Sequence, residues 1–88
     1  MQVAASVFAR NSAEVVNESA LGPLLNPLKQ SREKLVLTPL RGSGSVAVDR
    51  AYAIREYLLE NGVALSRVEI TSPAKGKNPS GVAYKISN

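Results

Sequence analysis

Residues 45–70, SVAVDRAYAIREYLLENGVALSRVEI, constrain the fold more tightly than any other stretch of the chain. Apolar side chains fall at Ala47, Ala51, Ile54 and Leu58, spaced i, i+4, i+7 and i+11. At 3.6 residues per turn those positions share one face of an α-helix. Val48, Tyr57 and Leu59 widen the stripe. Ser45 is the expected cap, its hydroxyl accepting a free first-turn N–H, and Asp49 suits the positive end of the helix dipole. Asn61-Gly62 supplies the stop, since glycine reaches the left-handed C′ conformation without a Cβ clash. Val68, Glu69 and Ile70 then alternate as a strand does.

The remaining segments fall in around this unit. In residues 3–10, VAASVFAR, Val3, Ala5, Val7 and Ala9 alternate with Ala4, Ser6, Phe8 and Arg10, which predicts a first strand. Asn11 with Glu14 three residues on matches a capping box and predicts a helical turn. Residues 17–30 carry Leu21, Leu24, Leu25 and Leu28 at helical spacing, interrupted by Gly22-Pro23 and Pro27. Proline inside a helix removes a hydrogen bond and clashes with an earlier carbonyl, costing about 3 kcal/mol. A short, distorted helix with Pro23 in its first turn and a pair of turns with inward leucines both fit; the first is preferred. Ser31-Arg32-Glu33 is a polar turn. Residues 34–38, KLVLT, form a strand ended by Pro39. Their unbroken apolar run points to a central position covered on both faces. Residues 71–81 read as a long flexible loop, and Val82, Tyr84 and Ile86 give a last strand with one apolar face. The expected order is β-α-β-α-β-loop-β, an α+β two-layer sandwich with a mixed sheet and both helices on one face.

With 88 residues, the chain makes one domain over positions 1–88. It has neither cysteine nor histidine. That removes disulfides, thiolate chemistry and the commonest general base and metal ligand. No run approaches the ~20 apolar residues of a membrane span. The first 16 residues lack the basic and long apolar regions of a signal peptide. Such a chain is cytoplasmic or a domain cut from a larger exported protein. The net charge is +4, with Lys75, Lys77 and Lys85 following the last acidic residue, Glu69. Such an excess can attract an anionic polymer, but lysines equally keep loops and edge strands soluble, and nucleic acid is not the expected partner.

Few constellations can carry chemistry. Glu56 and Glu60 lie one turn apart, a solvated like-charge pair unless further ligands join them at a metal. The serines lack a histidine to activate them. Tyr52, Tyr57 and Tyr84 do not form the basic-aromatic array of an RNA-binding sheet, and Tyr57 belongs at the core rim. No enzyme activity and no cofactor are expected. Two candidate binding features remain. The loop Arg41, Gly42, Ser43, Gly44, Ser45 could offer backbone N–H groups to an anion beside the helix N-terminus, though it lacks the Lys-Ser/Thr of a P-loop. Arg50, in the first turns of the helix, either pairs with Asp49 or a carbonyl, or grips a ligand carboxylate.

Several runs then resemble one family: FARNSAEV at 8–15, the spaced leucines, LVL at 35–37, DRAYAIREYL at 49–58, NGV at 61–63 and SRVEI at 66–70. Over about residues 7–71 the chain is similar to the OmpA-like C-terminal domain of Gram-negative envelope proteins. The resemblance implies a β-α-β-α-β-β fold and a periplasmic site, attached to a membrane through a parent chain. Typical members bind peptidoglycan, an aspartate after the second strand and an arginine opening the main helix holding the diaminopimelate group. The arginine matches Arg50. Thr38-Pro39-Leu40-Arg41-Gly42 stands where the aspartate turn would be, so the carboxylate is absent. What the resemblance implies is therefore a degenerate member, like the CpaD-like pilus-assembly lipoproteins. It would be a protein-protein module of a pilus, secretion or anchoring complex, with the sheet edge and the exposed helix face carrying the contacts. Candidate binding residues are Arg50, Arg41, Gly42, Ser43 and Ser45. A peptidoglycan anchor using Arg50, and a small basic nucleic-acid-binding domain, are the alternatives.

Overall fold

A computed structural model of the chain describes residues 2–40, 46–75 and 81–87. The loop proposed around Arg41, Gly42, Ser43 and Ser45 lies outside the described residues, as does Lys77. The fold is α+β: two helices, α1 (Gly22–Gln30) and α2 (Val46–Glu60), and three strands, β1 (Lys34–Pro39), β2 (Val68–Ile70) and β3 (Val82–Ser87). Strand order is β2-β1-β3, with β1 parallel to β2 and antiparallel to β3, so the sheet is mixed and β1 is central.

The expected stripe on α2 is the buried one: Ala47, Ala51, Ile54 and Leu58 all face inward, joined by Arg50. Tyr57 packs at the core rim, while Leu59 is exposed. The helix ends in a Schellman motif. The Val63 N–H reaches back to the Leu58 carbonyl and that of Gly62 to Leu59, and Gly62 sits at φ +94°, the left-handed geometry that favours glycine there. Buried Val63 and Leu58 complete it. α1 starts as the preferred arrangement expects. A 3₁₀ turn, Glu18–Leu21, leads into it, Pro23 falls in the first turn and Pro27 lies inside.

Register fixes the two sheet faces. Leu35 lies beside Val68 and Ile86, and Leu37 beside Ile70 and Tyr84. Leu35 and Leu37 share one core with Leu24 and Leu28 of α1 and Ile54 and Leu58 of α2, so both helices cover the same face. The second face corrects the expectation of a doubly covered β1. Val36 and Thr38 stay only partly buried, because Val36 is flanked in register by Glu69 and Lys85, both solvent-facing. Past β2 the chain does not leave the sheet at once. The Thr71 N–H bonds the Leu37 carbonyl and the Ala74 N–H bonds that of Pro39; only residues 76–80 of the expected loop are outside the described set.

The N-terminal segment is the main correction. Residues 3–10 are not a strand. Gln2 bridges Ala83 and the Val3 N–H bonds the Val82 carbonyl, but pairing stops there and Ala5–Val7 forms a 3₁₀ turn. Alanine is a poor strand former, and the residues actually buried are Val3, Val7 and Phe8, not an alternating set. Of the four expected strands, three are present among the described residues. Asn11 and Glu14 start no helix. Asn11 takes a positive φ of 53°, which asparagine tolerates better than most residues. The Glu14 N–H donates to Ser12 Oγ at 2.9 Å. Phe8 bridges Val15 and the Ala9 N–H bonds the Glu14 carbonyl, so residues 8–15 double back as a tight loop.

Candidate functional site

Arg50 stands on the third residue after buried Ala47 and beside buried Ala51, so the helix turns it toward the protein. It is only 7% exposed. Its Nε donates to the Ser12 carbonyl at 2.7 Å and Nη2 to the Ala9 carbonyl at 3.3 Å. The guanidinium carbon lies 4.8 Å from the centre of the Phe8 ring, within range of a cation–π contact. Nε and Nη2 form one of the two guanidinium edges that can grip a carboxylate in a bidentate pair. Here that side holds the backbone of the 8–15 loop. Of the two roles open to this arginine, binding a carbonyl is the one its geometry displays. Asp49, the other structural partner considered, is exposed.

A second arginine works the same way. Arg67 Nε donates to the Glu33 carbonyl at 3.1 Å, and Nη2 to the carbonyls of Ser31 at 2.7 Å and Glu33 at 2.8 Å. It ties the start of β2 to the turn before β1. Sequence reasoning had not singled out this role. Backbone carbonyls have no side-chain signature, so no pattern in the sequence could have named the partners.

Three of the carboxylates gather beside α2. Glu56 and Glu60 line a groove of about 370 Å³ with Glu18, Tyr57 and Asn61. Among the described residues no three His, Cys, Asp or Glu side chains are placed to hold a metal ion, and the groove is better described as an acidic, solvated channel. The basic residues do not converge with it. Lys85 lies on the outer sheet face beside Val36, and Lys75 follows the segment paired to the end of β1. Tyr84 and Ile86 meet Pro23 along a mainly apolar groove of about 480 Å³ at the β3 edge, with Lys85 at its border.

Three of the four large apolar side chains left exposed among the described residues lie on or beside α2. Tyr52, Leu59 and Leu65 are each about half exposed and line one shallow groove with Arg55 and Glu56. No described helix is long and apolar enough to cross a membrane. No protein-family model matches the sequence, and no curated protein matches it at a significant level.

Proposed function

We propose that this chain is a non-catalytic docking domain of the bacterial cell envelope, a degenerate OmpA-like module. It acts within a larger periplasmic parent to assemble a pilus, secretion or anchoring complex. The observation that carries the docking reading is the contiguous apolar groove of Tyr52, Leu59 and Leu65. Exposed apolar surface collected in one place is a common mark of a protein contact. The edge of β3 beside Pro23 is a second surface of this kind. The envelope assignment rests on the resemblance of residues 7–71. The non-catalytic assignment rests on a chain without imidazole or thiol.

In the competing reading, a peptidoglycan anchor using Arg50, the ligand competes with the Ser12 and Ala9 carbonyls for that arginine's donors. Co-sedimentation with purified sacculi separates the two. The docking reading expects the protein to stay in the supernatant. Retention that soluble diaminopimelate-containing muropeptide competes away would establish the anchor instead. A mobility shift with RNA or DNA that weakens steeply with salt would point to the nucleic-acid alternative.

A further inference from the structure

Among the described residues, three of the four exposed large apolar side chains meet on one side of α2: Tyr52 (50% exposed), Leu59 (46%) and Leu65 (50%). Along the helix this face reads Tyr52, Arg55, Glu56, Leu59, spaced i, i+3, i+4, i+7. It lies away from the stripe of Ala47, Ala51, Ile54 and Leu58 that packs on the sheet. Val48 continues the outer face one turn earlier.

That face is its own complement. Consider a second α2 laid antiparallel across the first, with the two-fold axis between Arg55 and Glu56. Tyr52 of each copy then meets Leu59 of the other, and Arg55 of each meets Glu56 of the other. Apolar groups oppose apolar groups and every charge opposes its opposite. A parallel pair would set Arg55 against Arg55 and Glu56 against Glu56, which repel. Arg55 is already held along the groove, its guanidinium 4.9 Å from the centre of the Tyr52 ring, so less side-chain freedom is lost on association.

We propose that the outer face of α2 docks a second copy of this chain as an antiparallel, two-fold helix pair centred between Arg55 and Glu56. Such an isologous contact closes at two copies. The proposal rests on the docking reading above and names the partner of one of its surfaces, leaving the β3 edge for other components. A helix of 15 residues is about 22 Å long. One such pair buries less than the about 1,600 Å² of a standard interface, so the dimer is weak and reversible, with a dissociation constant on the order of 10 μM to 1 mM.

Sedimentation velocity on the purified chain, run as a concentration series, tests it. The wild type is expected to shift from monomer toward dimer across that range. Arg55→Glu and Glu56→Arg each place like charges across the axis, and each should push association to at least about tenfold higher concentration. An equimolar mixture of the two variants should associate again, because an all-acidic face then meets an all-basic one. Far-UV circular dichroism confirms that both variants are folded, and recovery in the mixture requires it. A wild type that stays monomeric throughout, or a dimer indifferent to both substitutions, overturns the proposal. Because only this chain is present, either result leaves the docking reading to be decided by the sacculus experiment.

Discussion

Two arginines hold this protein together through backbone oxygens. Arg50 joins α2 to carbonyls 38 and 41 residues earlier, and Arg67 joins the start of β2 to carbonyls 34 and 36 residues earlier. A guanidinium suits this work because its donors are fixed in a plane and stay charged when partly buried. Arg67 is only partly buried, so water replaces part of what it supplies. Arg67→Ala should lower the unfolding free energy by about 1–2 kcal/mol in urea denaturation. Arg67→Lys should recover little of this, since an ammonium cannot satisfy the Ser31 and Glu33 carbonyls with a planar fork. Full recovery by lysine would mean that charge, not fork geometry, is what matters there.

At the scale of elements, the helices and strands that follow local rules are where their patterns place them. Ala47, Ala51, Ile54 and Leu58 mark the buried side of α2, Asn61-Gly62 its end, and Val68-Glu69-Ile70 the strand beyond. The N-terminal segment escaped because its determinants are not local. VAASVFAR alternates well enough to pass for a strand, yet what positions it is the Phe8–Arg50 contact and two carbonyls held by the same arginine. The candidate site was legible to the same extent. Arg50 stood out by type and position, but the partners that turn it inward are backbone atoms in a loop whose shape depends on Asn11 and Ser12. α1 shows a local rule being overridden. Pro27 lacks the N–H that would serve the Pro23 carbonyl, and the helix persists because Leu24, Leu25 and Leu28 are buried. Pro27→Ala restores that donor at some cost in unfolded-state entropy. It should raise stability by about 1 kcal/mol, seen as an increase in Tm of about 4–8 °C for a domain of this size. A lowered Tm would show that the proline ring's packing outweighs the missing hydrogen bond.

For the molecule as a whole, covering one face of the sheet and leaving the other open divides the surface into parts with different uses. The helices and the N-terminal segment close the core over Leu35 and Leu37. The outer face alternates Lys85, Val36 and Glu69 across the strands, and the charges that flank Val36 discourage indiscriminate sheet stacking. Among the described residues, shallow grooves with apolar lining lie on the outer side of α2 and at the β3 edge. Arg50 clamps the 8–15 loop to α2 through the Ala9 and Ser12 carbonyls and the Phe8 ring. Urea denaturation of Arg50→Ala tests this most directly. The clamp predicts a loss of about 2–4 kcal/mol, from two carbonyl bonds and the Phe8 contact removed at a buried position; an unfolding free energy within about 0.5 kcal/mol of wild type would contradict it.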